Sequence, residues 1–333
     1  MKLSVIGSGA WGTALSLLLL ENGNEVTLWS HSKEESETIR KAMENPFLKG
    51  VPIPEKLRLT AELDCARDAD LVVLATPSFA VRETARRLAP LLLRKTIVVS
   101  VAKGIEMDTS LRMSQVIGEE LHGGNTVAAL SGPSHAEEVG RGIPTAVVAA
   151  CPDLGAAELV QDLFMNERLR VYTSSDIIGV ELGAALKNVI ALCAGCCDGM
   201  GFGDNTKAML MTRGLTEIAR VGAKMGGRKE TFAGLAGMGD LIVTCTSDHS
   251  RNRRAGLLIG AGMDPQEAMR QVGAVVEGYY AAASGYMMAK KCGVEMPITE
   301  ATYNVLYNGA PLRETFTALM TRSKKHEIEE SWL

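Results

Sequence analysis

Aromatic residues are scarce in this chain, at 5% of its 333 residues, and neither sign of charge is in clear excess. The 35 Lys and Arg residues nearly balance the 39 Asp and Glu residues, which leaves a formal net charge of −4. No general attraction to nucleic acid follows from this balance, so we expect no nucleic-acid partner. Hydrophobic residues still make up 46% of the chain, which excludes a disordered protein. At about 150 residues per domain, the length predicts two domains.

The seven cysteines have neither the even number nor the regular spacing of a disulfide framework. Cys193, Cys196 and Cys197 lie close together, but no second Cys or His pair completes a zinc site, so we predict no metal. We interpret the three as small apolar residues of a buried helix, and their redox activity stays open.

No targeting or membrane-spanning segment is evident near the start of the sequence. Lys2 is followed at once by a strand-like run and then by glycines, whereas a signal peptide needs a longer apolar core. The apolar run 15–20 is too short to span a bilayer. We therefore expect a cytoplasmic protein without membrane insertion.

The first half of the chain alternates short β-branched runs with amphipathic stretches. Several of the runs are apolar throughout, which is typical of strands buried on both faces of a mainly parallel sheet. The predicted strands are 3–6, 25–29, 57–60, 70–75, 96–101, 126–130, 145–149 and 169–173. The predicted helices between them are 10–21, 33–44, 79–88 and 153–165. This alternation predicts an α/β fold with a doubly wound sheet.

The pattern changes after about residue 176, where long helical runs replace the strands. A helix start is predicted at Asp264-Pro265-Gln266-Glu267, with Asp as the cap and Pro at the first helical position. We therefore place an α/β domain at 1–176 and an all-helical domain at 177–333.

A glycine-rich motif, Gly7-Ser8-Gly9-Ala10-Trp11-Gly12, follows the first predicted strand and opens the first helix. In such a motif one glycine permits a sharp turn, one lets the backbone approach a pyrophosphate, and one lets the helix pack on the strand. The amide groups of the helix N-terminus then face the phosphates. Because a second strand follows, the motif predicts dinucleotide binding by a Rossmann-type domain.

The end of the second strand bears on the choice of coenzyme. An NAD-selective site usually has an Asp or Glu here for the ribose 2′-hydroxyl, but no acid occurs between Val26 and Lys33. His31 and Lys33 are suited to the 2′-phosphate of NADP; the alternative is that both are ordinary surface residues. We therefore expect NADPH to be used at least as well as NADH, and to be the preferred coenzyme.

An almost apolar helix is predicted over 180–197, with only Glu181 and Lys187 charged. An ionisable residue at mid-helix argues against a membrane span. Lys187 either extends its amine to the surface or has a compensating role, since an unpartnered buried ammonium costs several kcal/mol. Close approach of a neighbouring backbone is favoured by small residues, namely Gly183, Ala184, Ala191, Ala194 and Gly195.

Two further polar clusters accompany Lys187: Lys103-Gly104 after an apolar strand, and Gly239-Asp240 followed by the run 250–254. The three arginines of that run lack the interleaved aromatic residues of a nucleic-acid surface. Guanidinium groups suit phosphate oxygens, so we interpret the run as an anion site.

Taken in order, these motifs resemble the NAD(P)-dependent glycerol-3-phosphate dehydrogenases, closest to the bacterial type, over essentially the whole chain. The matching blocks are 7–13, 102–104, 131–136, 178–190, 237–241, 244–246, 250–254, 275–278 and 295–300. The resemblance implies a Rossmann-type domain followed by a helical domain similar to that of 6-phosphogluconate dehydrogenase. It also implies reversible hydride transfer between NAD(P)H and C2 of dihydroxyacetone phosphate, which supplies glycerol 3-phosphate for phospholipid synthesis.

The resemblance also implies roles for individual residues. Lys187 would be catalytic, accepting a proton in oxidation and donating it in reduction. The substrate would be bound by Lys103, Gly132, Ser134, Lys187, Asp240, Ser250, Arg251 and Asn252. The NAD or NADP cofactor would be bound by Gly7, Gly9, Ala10, Trp11, Gly12, His31, Lys103, Ala136, Arg251, Val275 and Glu277. The sequence departs from the family pattern at Ala10, where many members carry Ser. A homodimer is compatible with the sequence.

The residues alone support the same chemistry. Oxidation of an alcohol needs a base, and we expect partial desolvation and a second ammonium at Lys103 to lower the pKa of Lys187, with Asp240 orienting it.

Two alternatives stay open. A β-hydroxyacid dehydrogenase would bind a carboxylate, against which the phosphate-suited run 250–254 argues. A non-catalytic NAD(P)-binding regulator would leave both lysines and Asp240 without a role.

Overall fold

A computed structural model describes residues 1–122, 124–324 and 326–327, and the chain divides into two compact units. The first unit is Met1–Lys103 with Arg112–Ile177, and the second is Gly104–Leu111 with Ile178–Leu333. The segment 104–111, which the sequence analysis placed in the first domain, thus groups with the helical unit. There Ile105 is buried in the helical core and its carbonyl accepts a hydrogen bond from Ser284 Oγ at 3.2 Å.

The first unit is built on one eight-stranded sheet. Its strands are β1 Lys2–Ile6, β2 Glu25–Trp29, β5 Arg58–Thr60, β6 Leu71–Leu74, β7 Ile97–Ser100, β8 Val127–Ser131, β9 Thr145–Ala150 and β10 Leu169–Ser174. Their order across the sheet is β10-β9-β8-β7-β6-β1-β2-β5. Its helices are α1 Ala10–Glu21, α2 Lys33–Ala42, α3 Val81–Leu88, α4 Met113–Glu120, α5 Ala136–Gly140 and α6 Leu154–Phe164. All neighbours are parallel except β8 and β9, which confirms the predicted mainly parallel α/β sheet.

The predicted end of the second helix is wrong. Helix α2 ends at Ala42 because Met43 adopts a left-handed conformation, with φ 50°. This conformation is uncommon for a residue other than glycine, so the local sequence does not indicate it. The chain then forms a small antiparallel hairpin, β3 Glu44–Asn45 and β4 Leu48–Pro52, that the sequence analysis did not predict. Two-residue strands are too short to show an alternating pattern.

Strand order reverses at β1, whose two neighbours are β2 and β6. The register aligns Ile6 with Trp29 on one side and with Leu74 on the other, so the three strands end at the same level. In open α/β sheets, ligands bind outside the carboxyl ends of the strands at such a switch point. The glycine-rich motif lies there.

The second unit is helical, and no strand occurs in its described part. Its helices are α7 Ile177–Gly199, α8 Asp204–Lys224, α9 Lys229–Ala233, α10 Asp240–Thr246, α11 Arg251–Gly260, α12 Pro265–Val272, α13 Glu277–Cys292, α14 Pro297–Tyr307 and α15 Leu312–Met320. The predicted cap is confirmed, since Asp264 Oδ1 accepts from the amides of Gln266 and Glu267. By length and composition α7 passes as a membrane span, but 89% of its apolar window is buried inside the protein, as in a core helix.

Helices α7 and α11 cross with their backbones in direct contact, which only glycine permits. A Cβ added to Gly195 of α7 would lie 2.0 Å from the carbonyl oxygen of Arg253, and one added to Gly256 of α11 would lie 1.9 Å from that of Leu192. Both distances are far below any real Cβ contact. The predicted close approach of a neighbouring backbone at Gly195 is therefore confirmed.

This crossing predicts that Gly256→Ala lowers the free energy of unfolding by about 1–3 kcal/mol or more, because the two helices must separate. Gly118→Ala is the control: Gly118 lies in α4 with nothing within 4 Å of an added Cβ, so the change should be neutral or stabilise by roughly 0.5–1 kcal/mol. Urea denaturation followed by circular dichroism measures both. Equal effects would show that the crossing tolerates a methyl group.

Candidate functional site

The glycine-rich loop of the first unit has the geometry that a dinucleotide requires. Gly7 has φ +124°, and an added Cβ would lie 2.7 Å from the carbonyl oxygen of Ala75. At Gly12, the first turn of α1, an added Cβ would lie 1.9 Å from the carbonyl oxygen of Gly7. Gly9 instead faces open space, with nothing within 4 Å. The three positions match the turn, helix-packing and phosphate-approach roles of the motif.

Unsatisfied polar groups lie at the same edge of the sheet. Within the part of the chain that the structure describes, the indole N–H of Trp11 and the hydroxyls of Thr76, Ser100 and Ser131 are buried without a hydrogen-bond partner. Thr76 follows β6, while Ser100 and Ser131 end β7 and β8. Buried polar groups normally find partners, so this edge is suited to a polar ligand. The residues of the first unit therefore fit an NAD(P) dinucleotide.

Asn45, which lies in the hairpin of β3 and β4, holds the glycine-rich loop by hydrogen bonds. Its side-chain amide is buried and donates to the carbonyl of Ser8 at 2.8 Å and to Thr13 Oγ1 at 2.7 Å. The sequence analysis missed this residue. Its partners are more than 30 positions away in the chain, and no local spacing signals the contact.

Lys103, Gly132 and Ser134, three predicted substrate residues, form one cluster in the first unit. Lys103 Nζ donates to the carbonyl of Gly132 at 2.9 Å and to Ser134 Oγ at 3.1 Å. Ser134 Oγ in turn donates to the same carbonyl at 2.9 Å. The ammonium is thereby held at the end of β8, where these bonds fix its direction.

The other predicted cofactor residues of the first unit lie at helix or strand ends. Ala10 and Ala136 are the first residues of α1 and α5. His31 is exposed just after β2, with its ring edge-on to Trp29 at a centroid distance of 6.0 Å. Lys33, which sequence reasoning also considered for a 2′-phosphate, forms an exposed ion pair with Glu62 at 3.0 Å.

In the second unit, Lys187 and Asp240 form a buried ion pair. Only 4% of Lys187 and 1% of Asp240 is exposed, and Lys187 Nζ donates to Asp240 Oδ1 and, at 2.6 Å, to Thr244 Oγ1. The amine therefore does not extend to the surface. A buried charge requires such a counter-ion, and a hydrogen-bonded amine can exchange a proton in a fixed direction.

Two glycines allow this pair to form. The chain enters α10 through a π-helical turn, Leu235–Gly239, which passes close to α7. An added Cβ at Gly183 would lie 2.8 Å from the carbonyl oxygen of Ala236, and one at Gly237 would lie 2.1 Å from that of Phe232. The turn therefore sets Asp240, the first residue of α10, against the middle of α7.

The arginine-containing run 250–254 divides into structural and exposed members. The hydroxyl of Ser250 caps α11 by accepting from the amide of Arg253 at 3.2 Å. The Arg253 guanidinium pairs with Asp198 at 2.8 Å and with Asp248 at 2.6 Å. Arg251 is exposed, and no ion pair or side-chain hydrogen bond joins it to another described residue. Of these two arginines, Arg251 is therefore the one available for an anion.

Asn252 links three helices of the second unit. Its Nδ2 donates to Asn188 Oδ1 at 2.9 Å, and its Oδ1 accepts from the amide of Gly278 at 2.8 Å. This ties the residue after Lys187 to the start of α13, where Glu277 is the first residue and Val275 lies just before the helix. Asn252 therefore holds the surroundings of Lys187 and of these two predicted cofactor residues together.

The three clustered cysteines are packed in the helical unit. Burial raises the pKa of the Cys193 thiol to about 12 and that of Cys197 to about 11, and raises the pKa of Cys196 well above its ordinary value. The thiolate is the reactive form, so these pKa values disfavour redox activity. Among the described residues, no three His, Cys, Asp or Glu side chains are grouped as metal ligands would be.

The buried pair predicts that Asp240→Asn lowers the free energy of unfolding by about 3–5 kcal/mol, because it leaves the Lys187 ammonium without its counter-ion. The control is Glu267→Gln, which removes an exposed pair with Arg270 in the same unit and should cost less than about 1 kcal/mol. Urea denaturation of the three proteins at one pH makes the comparison. A loss no larger for Asp240→Asn than for the control would contradict the argument.

Two family models together match most of the chain. The N-terminal model of the NAD-dependent glycerol-3-phosphate dehydrogenases matches residues 2–157, and the C-terminal model of the same family matches residues 176–317.

Individual relatives agree with these models. The chain is 54% identical over 330 residues to glycerol-3-phosphate dehydrogenase [NAD(P)+] of Moorella thermoacetica, covering 98% of each chain. It is 49% identical over 333 residues to the Bacillus subtilis enzyme, covering 99% of this chain and 96% of the relative. A crystal structure of the Coxiella burnetii glycerol-3-phosphate dehydrogenase superposes with a TM-score of 0.92 at 36% identity, covering 96% and 98% of the two chains. This chain belongs to the NAD-dependent glycerol-3-phosphate dehydrogenase family.

Proposed function

We propose that the protein catalyses the reversible NAD(P)-dependent oxidation of sn-glycerol 3-phosphate to dihydroxyacetone phosphate, with Lys187 as the catalytic residue. The observation that carries this proposal is the amine of Lys187, which is buried and held by Asp240 and Thr244 in a chain of this family. Family membership favours a phosphorylated alcohol over the hydroxycarboxylate alternative.

Oxidation at C2 removes a hydride from carbon and a proton from the hydroxyl group. The nicotinamide, when bound, supplies the hydride acceptor. The neutral amine of Lys187 accepts the hydroxyl proton, and in reduction the ammonium returns it to the forming alkoxide. The Asp240 carboxylate stabilises the ammonium, and the hydrogen bond to Thr244 orients it.

Further residues are assigned to ligand binding. We assign the substrate phosphate to the exposed guanidinium of Arg251, because a charged fork suits phosphate oxygens. The remaining substrate contacts are assigned to Lys103, Gly132, Ser134, Asp240, Ser250 and Asn252. The cofactor is assigned to Gly7, Gly9, Ala10, Trp11, Gly12, His31, Lys103, Ala136, Arg251, Val275 and Glu277.

We further propose a cytoplasmic enzyme that supplies glycerol 3-phosphate for phospholipid synthesis. Its seven cysteines are free thiols, as in proteins of a reducing compartment. The reaction product carries the glycerol phosphate unit on which phospholipids are built.

Lys187→Ala should lower kcat by roughly 10²–10⁴-fold while NADPH still binds, because the change removes proton transfer but leaves the glycine-rich loop intact. Steady-state kinetics with dihydroxyacetone phosphate and fluorescence titration with NADPH measure the two effects. Lys224→Ala, at an exposed lysine near the end of α8, is the control and should leave both unchanged. A folded Lys187→Ala enzyme with near-normal kcat would remove Lys187 from the mechanism.

Arg251→Ala should lower kcat/KM for dihydroxyacetone phosphate by about ten- to a hundredfold, since a charge-assisted contact contributes about 1.5–3 kcal/mol. The effect should be much smaller with dihydroxyacetone, which lacks the phosphate, since only the assigned cofactor contact of Arg251 remains to be lost. Arg254→Ala removes an exposed neighbouring charge and should have little effect, and Arg253→Ala should act mainly on stability through its ion pairs. An equal loss with the truncated substrate would show that Arg251 does not bind the phosphate.

A further inference from the structure

The carboxylate of Glu35 lies between the glycine-rich loop and the end of β2. Its Oε1 accepts a hydrogen bond from Ser8 Oγ at 2.8 Å, and its Oε2 accepts one from Ser30 Oγ at 2.7 Å. Both serines are buried, at 4% and 0% exposure, while Glu35 is half-buried. The two hydroxyls therefore hold a charged group in one place, with part of it open to a ligand.

The chain places this acid there by way of the first turn of α2. Ser32 caps the helix by accepting from the amide of Glu35 at 3.0 Å. In a capping box the glutamate side chain would accept a hydrogen bond from the backbone amide of Ser32. Here it accepts hydrogen bonds from the hydroxyls of Ser8 and Ser30 instead. The acid is six positions beyond the end of the strand in sequence, yet it contacts Ser30, the residue that directly follows the strand.

That position is where a dinucleotide site distinguishes its coenzymes. Ser30 directly follows β2, and NAD-selective sites carry an Asp or Glu there that accepts a hydrogen bond from the ribose 2′-hydroxyl. Each carboxylate oxygen accepts more than one hydrogen bond, so the bonds to Ser8 and Ser30 leave Glu35 able to accept another. A 2′-phosphate in the same place would meet a like charge.

We infer that Glu35 is a coenzyme-specificity residue that favours the free 2′-hydroxyl of NAD(H) and opposes the 2′-phosphate of NADP(H). His31 and Lys33 act in the other direction, and Lys33 is partly compensated by its ion pair with Glu62. The expected preference for NADPH is therefore reduced, and both coenzymes are used. The inference depends on the dinucleotide site of the proposed function, though not on the identity of the substrate.

Nucleotide fragments test the inference without turnover. Isothermal titration measures the Kd of adenosine 2′,5′-bisphosphate and of adenosine 5′-monophosphate, which differ only in the 2′-phosphate. Glu35→Gln should shift the ratio of the two Kd values by about five- to tenfold toward the bisphosphate, because it removes a like charge and weakens the acceptor. The same shift should appear in kcat/KM for NADPH against NADH.

Glu34→Gln is the matched control, because it removes the same charge from an exposed side chain in the same helical turn. It should leave the ratio of Kd values within about twofold, since exposed charges are screened. Equal shifts in the two variants, or a Glu35→Gln effect of equal size on both fragments, would overturn the inference. Normal fragment binding with no turnover of dihydroxyacetone phosphate would instead refute the proposed substrate and leave the role of Glu35 standing.

Discussion

A buried ion pair in the helical unit constrains the elements around it. Lys187 lies in the middle of an apolar helix that the rest of the unit surrounds, and its ammonium is not tolerated there without a counter-ion. Asp240 and Thr244 must therefore approach α7 closely, which requires the π-helical turn before α10 and glycine at Gly183 and Gly237. The same contacts that make the charge tolerable also fix the direction of the amine, as the proposed proton transfer requires.

Glycine has different structural roles in the two units. In the first, the loop after β1 uses it for a left-handed turn at Gly7 and for open space at Gly9. In the second, Gly195 and Gly256 let two helices touch through their backbones. A side chain would clash with the backbone of Ala75 at Gly7, occupy the open space at Gly9, and separate the helices in the second unit.

The end of β2 combines opposing charges over a short distance. Lys33 is an exposed cation and His31 an exposed imidazole, whereas the Glu35 carboxylate is held by two buried serine hydroxyls. A held charge acts on a ligand with less loss of side-chain entropy than a mobile one. The proposed role of Glu35 makes the coenzyme preference a balance between its carboxylate and the side chains of His31 and Lys33.

Local sequence patterns determined the strands of the eight-stranded sheet, the glycine-rich loop and the cap at Asp264, because hydrophobic periodicity and turn chemistry act over a few neighbouring residues. They also identified Lys187 as a charge in need of a partner and named Asp240 as the group that would orient it. Tertiary structure alone decided that Thr244 joins Asp240 at the amine and that Asn45 holds the glycine-rich loop. It also decided that residues 104–111 group with the helices and that the Glu35 side chain contacts Ser30 after β2. Most of these are contacts between segments that are distant in the chain, and the last is a side chain that does not form the hydrogen bond typical of its capping motif. Hydrophobic periodicity predicts neither.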